Sequence, residues 1–232
     1  MEDGVRLAVG KGVLRPQTEE MDRVAQERTG AMNPLNRQWF YRGLRRRLVR
    51  VLGRTQAESV WENAGKEYQS MLSANAGLKK HKGAMVLPAV ALYRALTASG
   101  ADAEDLLNAY GDAMGKRFAG IVHGITGVPG ASRLIWRHVD GIMVRMSGEN
   151  LGYQRRIVSR PPEMFGVDIL SCPYHELARE LGEEKAVLCI CHMDKAYMQG
   201  FRHIRYERTT AVSEGAECCD YRLHWDPGNK QR

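Results

Sequence analysis

The chain has 232 residues, 44% hydrophobic and 26% charged, and its formal net charge is +7. This length suits one large domain or a helical half joined to a smaller mixed half, and the composition is that of a globular protein. No apolar run approaches the roughly 20 residues that span a bilayer, and the N-terminus lacks the pattern of a signal peptide. We therefore expect a cytoplasmic protein. Its five cysteines are then expected to be reduced thiols, because one of them cannot pair.

Much of the positive charge lies in one segment, residues 42–50, with the sequence RGLRRRLVR. No nucleic-acid fold signature accompanies the segment, so it predicts a solvated basic helix face and neither a nucleic-acid nor a membrane partner. A membrane-surface or nucleic-acid adaptor is the weakest alternative function. It would bind an anionic polymer or vesicle in a strongly salt-dependent manner.

The patterns divide the chain into four predicted parts. Residues 1–32 form an N-terminal arm with a short helix at 18–27, residues 33–147 a helical part, residues 148–226 an α+β part, and residues 227–232 a flexible tail. The predicted fold class is α+β, in which an N-terminal helical layer or bundle packs on a small, mostly antiparallel C-terminal sheet with short helices.

Five helices are predicted from apolar stripes at spacings of three or four. The first runs from Pro34 to Gly53, and the second opens with a capping box at residues 55–58. Residues 79–82 are predicted to form a loop, and Asp102 is expected to cap a helix. The five stripes are Phe40, Leu44, Leu48 and Val51; Val60, Trp61, Ala64, Tyr68 and Met71; Met85, Ala89, Leu92 and Leu96; Leu106, Leu107, Tyr110 and Met114; and Ile135, Val139, Ile142 and Met146.

Strand patterns follow residue 148. Strands are predicted at 153–158, 165–169, 204–212 and 218–225, with a helix at 174–181 and a brief one at 194–200. In the last strand, alternation sends side chains to opposite faces of the sheet. The apolar face receives Cys219, Tyr221, Leu223 and Trp225, and the other face receives Cys218, Asp220, Arg222 and His224.

Candidate reactive groups concentrate in residues 172–225, which hold all five cysteines and four of the seven histidines. Cys191 and Asp194 are three residues apart, so on a helix they would share one face. The plainer interpretation of a free cysteine is a small buried hydrophobe. A zinc set of Cys172, Cys191 and Cys219, with His175 or His192, has suitable ligand types but poor spacing, because the chain has no C-x-x-C pair.

A series of short motifs resembles the L-2-amino-thiazoline-4-carboxylic acid hydrolase family from about residue 35 to residue 223. The motifs come in the family's order: ALYRAL at 91–96, Cys172-Pro173-Tyr174, Glu180-Leu181-Gly182, Cys191 with Asp194, Arg208-Thr209, Glu214-Gly215 and Cys219-Asp220-Tyr221. The family usually has Phe where Tyr221 stands. Cys189 and Cys218 are additional to the cysteines that match.

The resemblance implies a hydrolase that opens a cyclic isothiourea by water or thiol attack at C2, giving N-carbamoyl-L-cysteine. Its predicted catalytic residues are Cys191, Asp194 and Cys219, with Asp194 as base or amidinium-orienting group. Predicted substrate-binding residues are Cys172, Arg208, Asp220, Tyr221 and His175, with Arg208 as the anion anchor. A small molecule is the expected partner, with no nucleic acid or membrane, and a homodimer is one expected assembly.

No cofactor is expected, and zinc or manganese is the less favoured alternative. The alternative function is a non-enzymatic one, in which the same pocket serves small-ligand binding or thiol redox sensing. Reduced cysteines near a positive surface are the residue types of a redox sensor.

Overall fold

In the computed structural model, residues 32–228 are described, and a compact unit begins at Pro34. Residues 1–31 of the predicted arm, with the helix at 18–27, lie outside the described residues, and so do residues 229–232 of the predicted tail. The described chain forms a helical layer and a small antiparallel sheet, which confirms the predicted α+β class. The boundaries of the four predicted parts stay predictions.

Eight α-helices and four β-strands are found among residues 32–228. The helices are α1 (Leu44–Leu52), α2 (Arg54–Ala74), α3 (Lys80–Ala98), α4 (Ala103–Thr126), α5 (Ala131–Arg137), α6 (Val139–Met146), α7 (Pro173–Glu180) and α8 (Leu188–Met198). The strands are β1 (Gln154–Ser159), β2 (Met164–Ser171), β3 (Ile204–Glu207) and β4 (Cys219–Trp225).

The helical layer is built on the apolar stripe of α2, which the sequence spacing predicts. All five stripe residues of α2 are buried in one core with α1, α3 and the first half of α4. The predicted cap of α4 is also confirmed, because Asp102 Oδ1 accepts a hydrogen bond of 2.9 Å from the backbone N–H of Asp105.

Helices α4 and α8 lie in backbone contact, which two glycines of α4 make possible. A Cβ atom added to Gly111 would lie 2.1 Å from the carbonyl oxygen of Cys189, and one added to Gly115 would lie 2.5 Å from that of Met193. Both distances are far below van der Waals contact, so no larger residue fits without moving a helix. The contact fixes α8, which carries Cys191 and Asp194, against the helical layer.

The sheet has strand order β1-β2-β4-β3, and every neighbouring pair is antiparallel. In β2, Phe165, Val167 and Ile169 are buried, as their alternation predicts. They form a second core with α5, α6 and α8, which contribute Trp136, Val139 and Met198.

The opposite face of the sheet carries a buried carboxylate between two arginines. Asp168 of β2 accepts hydrogen bonds of 2.8 Å from Arg156 of β1 and 2.7 Å from Arg222 of β4. Burial opposes ionisation of this carboxyl, but the two guanidinium groups outweigh burial and lower its pKa. The sheet is thus tied together by ion pairs on one face and by apolar packing on the other.

The continuous helix predicted from Pro34 is wrong. Pro34–Arg37 forms a short 3-10 helix, turns follow, and α1 begins only at Leu44. Gly43, directly before α1, lies close to α4, since a Cβ atom there would be only 2.9 Å from the hydroxyl of Tyr110. The predicted stripe is buried except for Val51, which is exposed.

The predicted capping box at residues 55–58 does not form. Helix α2 begins at Arg54 and has no side-chain cap. Glu58 instead accepts a hydrogen bond of 3.0 Å from Nε of Arg45 in α1. Because the carboxylate of Glu58 pairs with Arg45 of the neighbouring helix, it does not bond to the backbone as a capping box requires.

Three predicted boundaries are also wrong. Helix α3 already begins at Lys80, so residues 80–82 are its first turn and not a loop. The stripe of residues 135–146 belongs to two helices, because His138 leaves the helical conformation between α5 and α6. Helix α8 begins at Leu188, well before the predicted residue 194.

The third strand, predicted to reach residue 212, ends at Glu207. Beyond it, the backbone N–H groups of Thr209 and Thr210 donate to Asp220 Oδ1 at 2.8 and 2.7 Å. These bonds turn the chain away from the ladder. Across residues 32–228, no helix has the length and apolarity that crossing a membrane requires.

Candidate active site

A cavity of about 490 Å³ lies between the inner face of the sheet and helices α3, α6, α7 and α8. Seven of the eight residues that the sequence nominates for the site line it: Cys172, His175, Cys191, Asp194, Arg208, Cys219 and Tyr221. The structure therefore brings together residues from two helices, one strand and two connecting segments. The volume of the cavity falls within the range of roughly 300–1,000 Å³ that is typical of small-molecule binding sites.

Asp194 is the central ionisable group of the cavity. The hydroxyl of Tyr221 donates to its Oδ2 at 2.5 Å, and Nη1 of Arg208 lies 3.6 Å from the same oxygen. Arg208 also donates to the Tyr221 hydroxyl at 3.2 Å. The Asp194 side chain remains 25% accessible, whereas that of Arg208 is only 4% accessible. The arrangement holds the carboxylate on one side and leaves its other side open to the cavity.

Burial raises the pKa of Asp194, although the hydrogen bond from Tyr221 and the charge of Arg208 work in the opposite direction. Burial and the charge of Asp194 together raise the pKa of Tyr221 well above its usual value. A phenol that stays protonated remains a donor to the carboxylate. Asp194 is thus a carboxylate with increased basicity and a fixed orientation.

Three thiols surround this carboxylate. Cys191 Sγ and Ser213 Oγ share a hydrogen bond of 3.3 Å, and the backbone N–H of Val212 donates to Cys219 Sγ at the same distance. Cys172 immediately precedes α7, where its backbone carbonyl accepts from the N–H of Glu176 at 2.9 Å. All five cysteines of the chain are free thiols.

Burial raises the pKa of each cavity thiol. The pKa of Cys191 rises to about 12 and that of Cys219 to about 11, and the pKa of Cys172 is also raised. Neutral thiols are weak nucleophiles and poor metal ligands, since the thiolate is the reactive form. In their protonated form the three cysteines contribute polarisable surface to the cavity lining.

His175, in the first turn of α7, adds a polar group with unused hydrogen-bonding capacity. Its Nδ1 atom is buried and has no partner among the described residues. A buried, unpaired ring nitrogen is unfavourable unless a ligand satisfies it. This atom is therefore a candidate contact for a polar group of the substrate.

Asp220 is the one nominated residue that the structure places outside the cavity. Its carboxylate binds Thr209 and Thr210 on the other face of β4, and these hydrogen bonds outweigh burial and lower its pKa to about 2. Strand alternation already predicts this orientation, because Asp220 lies between Cys219 and Tyr221.

Sequence reasoning did not identify Ser213, Tyr153 and Tyr197 as part of the site, yet they line the cavity. Ser213 lies in the connection before β4 and had no motif that distinguished it from other loop serines.

His192, one of the two histidines considered for the zinc set, does not line the cavity. Its Nδ1 atom lies 3.0 Å from Asp112 Oδ1, and both side chains are about half-exposed.

The zinc set is not assembled within the described part of the chain. No group of three or more histidine, cysteine, aspartate or glutamate side chains there has a geometry that could hold a metal ion. The cavity thiols lie around the carboxylate without forming a common ligand cluster.

A second, more open groove of about 810 Å³ lies between the start of α2 and the end of α3. Its lining contains neither cysteine nor histidine, and its Glu67 accepts a hydrogen bond of 2.8 Å from Arg94. Arg94 also binds Glu183 at 3.1 Å, so it connects α3 to the segment after α7. The groove offers a structural ion-pair network, whereas the smaller cavity holds the candidate reactive groups.

Comparison with protein families adds the decisive observation. The family model described as L-2-amino-thiazoline-4-carboxylic acid hydrolase matches residues 79–223, more than half of the chain. The chain belongs to this family. The match runs from the start of α3 to Leu223 within β4 and therefore covers nearly all of the cavity lining. A comparison with curated proteins gave no match. The family's name indicates a hydrolase.

Proposed function

We propose that the protein hydrolyses a cyclic isothiourea of the L-2-amino-thiazoline-4-carboxylate type, with Asp194 as general base. The observation that carries the proposal is the carboxylate of Asp194, oriented by Tyr221 and open to a cavity of about 490 Å³. The name of the family, which mentions L-2-amino-thiazoline-4-carboxylic acid, supports this choice of substrate class. A raised carboxyl pKa suits a general base, because base strength then approaches what proton abstraction from water requires.

In the proposed reaction, Asp194 takes a proton from water as the water oxygen bonds to C2 of the ring. The resulting tetrahedral carbon carries the new oxygen, the two nitrogens and the ring sulfur. The remaining proton of the added hydroxyl moves to the ring nitrogen as the C–S bond breaks, which leaves a urea group and a thiolate. The thiolate receives the proton held by Asp194. The product is N-carbamoyl-L-cysteine, and all atoms of substrate and water are retained.

The pair of Asp194 and Arg208 suits a substrate that carries both signs of charge. The amidine-like part of the ring is a cation when protonated, and the ring also bears a carboxylate. With the two partners 3.6 Å apart, the carboxylate of Asp194 can face the amidine and the guanidinium of Arg208 the acid group. His175 Nδ1 supplies a further hydrogen-bonding atom.

Water is the favoured nucleophile over a cysteine thiol. With a pKa of about 12, Cys191 holds almost no thiolate at neutral pH. Replacing Cys191 by Ser should therefore reduce kcat only modestly, about tenfold or less. A loss as complete as that of an essential nucleophile would instead assign the attack to the thiol.

The redox-sensing alternative is less well supported, because sensor thiols are exposed and have low pKa values. Cys219 is buried, Cys172 and Cys191 are only partly exposed, and the pKa values of all three thiols are raised. Ligand binding without turnover is the remaining alternative. It predicts affinity for a thiazoline with no ring-opened product.

The first test is Asp194→Asn, assayed by chromatographic detection of the ring-opened product. Loss of a general base should lower kcat by about 10²–10⁴-fold, and loss of the charge that faces the amidine should also weaken substrate affinity. Asp112→Asn is the matched control, since Asp112 is a half-exposed aspartate on α4 whose partner is His192. Full turnover by Asp194→Asn would remove Asp194 from the mechanism. The absence of turnover by the wild-type protein would overturn the proposed reaction.

A further inference from the structure

The cavity is much larger than the substrate that the family name suggests. An amino-thiazoline carboxylate has about nine non-hydrogen atoms, whereas cavities of roughly 300–1,000 Å³ hold drug-sized ligands. The cavity here has about 490 Å³. A small ring bound at Asp194 would leave most of this volume without substrate atoms.

The lining of the remaining space is apolar and adaptable. Five of the chain's eleven methionines lie in it: Met85, Met143, Met146, Met193 and Met198. Methionine is flexible and polarisable, and protein surfaces that accept varied apolar partners use it often. Nothing in the chemistry of a small, doubly charged ring requires such a wall.

An exposed aromatic residue marks the opening of the cavity. Trp39 lines the cavity and yet is 59% exposed, and Met146 is 54% exposed. The ring of Trp39 packs edge-on against Phe40 and Phe118, with centroids 5.7 and 5.9 Å apart. The indole is thus held in place while most of its surface remains available. Large amphipathic rings of this kind contribute strongly to ligand contacts.

We propose that the substrate carries an apolar aryl or alkyl substituent that occupies the methionine-lined part of the cavity and reaches Trp39. This proposal rests on the proposed function, and it keeps the amidine-like carbon at Asp194 and the acid group at Arg208. The substituent is attached to the exocyclic nitrogen. Water addition and C–S cleavage then proceed as for the unsubstituted ring, and the product is an N-carbamoyl cysteine whose terminal urea nitrogen bears the apolar group.

The test compares 2-amino-thiazoline-4-carboxylate with its N-benzyl derivative on the wild-type protein. Burial of a phenyl ring is worth about 1.5–3 kcal/mol, which corresponds to roughly a tenfold to hundredfold change. We therefore expect kcat/KM of the benzyl compound to exceed that of the parent compound at least tenfold. Equal or lower kcat/KM for the benzyl compound would overturn the inference and leave the proposed reaction standing.

A matched pair of variants locates the effect. Met146→Gln should lower the ratio of the two kcat/KM values severalfold, because it places an amide where the substituent binds. Leu134→Gln is the control, since Leu134 is 57% exposed and does not line the cavity. An unchanged ratio in Met146→Gln, or an equal loss in both variants, would contradict the assigned position.

Binding of a stable analogue separates this inference from the reaction. Isothermal titration with 2-(benzylamino)thiazole-4-carboxylate, an aromatic ring that hydrolysis does not open, should give at least tenfold tighter binding than its unsubstituted counterpart. If no thiazoline is turned over but this preference is found and is weakened by Met146→Gln, the apolar subsite is supported and the reaction is overturned. If the analogues bind equally or not at all, the subsite is overturned.

Discussion

The two faces of the sheet hold two carboxylate–arginine clusters that differ in how the carboxylate is compensated. On the inner face, Asp194 accepts a hydrogen bond from Tyr221 and has Arg208 at 3.6 Å, and its pKa is raised. On the outer face, Asp168 binds two arginines directly, including Arg222 at 2.7 Å, and its pKa is lowered. Tyr221 and Arg222 are consecutive in β4, so alternation alone sends one side chain to each cluster.

The comparison shows that an aspartate beside arginine can have either a lowered or a raised pKa, depending on how directly the two side chains are bonded. Two direct charge-assisted bonds outweigh the burial of Asp168, so its charge stabilises the fold. At Asp194, one phenol hydrogen bond and a more distant guanidinium lower the pKa by less than burial raises it. This carboxylate is therefore the better proton acceptor of the two. Substitutions at the outer cluster should therefore change stability, and substitutions at the inner cluster should change turnover.

The largest effect on stability is expected from Asp168→Asn. Loss of the hydrogen bonds to Arg156 and Arg222 should lower the free energy of unfolding by about 1.5–3 kcal/mol. The midpoint of urea denaturation measures this loss. Turnover per folded molecule should stay within about twofold of wild type, because Asp168 lies on the face opposite the cavity. A loss of turnover in fully folded Asp168→Asn would show that the two faces are not independent.

A smaller effect, on turnover, is expected from Tyr221→Phe. Removing the hydroxyl deletes a bond that favours the ionised form of Asp194, so the pKa of that carboxyl rises further. The acid limb of kcat/KM should move to higher pH, and kcat at neutral pH should fall about tenfold, which is near 1.4 kcal/mol.

Tyr206→Phe is the control for this shift. The ring of Tyr206 lies 5.8 Å from that of Tyr221, and its buried hydroxyl has no hydrogen-bond partner in the described residues. The variant should leave the pH profile unchanged and cause no loss of stability. A shift of equal size in both variants would mean that the hydrogen bond to Asp194 is not its cause.

The smallest effect is the acid dependence of stability. A carboxyl whose pKa is lower in the folded than in the unfolded state stabilises the fold above the unfolded pKa of about 4, and the stabilisation fades as pH falls through the folded value. For Asp220 this window extends down to about pH 2. Asp220→Asn should therefore flatten the loss of stability between about pH 4 and pH 2, as followed by circular dichroism.

Asp194 works in the opposite sense, because its pKa is raised and the fold favours its protonated form. Turnover should consequently fall, on acidification, at a higher pH than that at which the fold is lost. Coincident loss of activity and of structure would argue against Asp194 as the group that controls the acid limb.

Part of this site follows from sequence by geometry alone. Strand alternation places Cys219 and Tyr221 on the apolar face, and helical spacing places Cys191 and Asp194 on a common face. The motif resemblance nominated Asp220 as well, although alternation sends it to the opposite face. Where the two arguments disagreed, the local geometry gave the better prediction of the position.

The rest depends on contacts between distant segments. Glu58 has the spacing of a capping box, yet Arg45 on a different helix takes its carboxylate. An apolar stripe runs through the break before Leu44 and through the break at His138, so residue spacing alone reveals neither of them. The size of the cavity and its methionine lining appear only when α3, α6 and α8 are placed around the sheet.

The glycines of α4 have a consequence for attempts to make the protein heat-resistant. Replacing a helical glycine by alanine is a common stabilising change, worth about 0.5–1 kcal/mol where the Cβ has room. Gly120 and Gly124 have no atom within 4 Å of an added Cβ, so alanine at either position should raise the melting temperature. Alanine at Gly111 or Gly115 would instead push α8, and with it Asp194, out of place. A thermostability library should vary the first pair of positions and hold the second pair fixed.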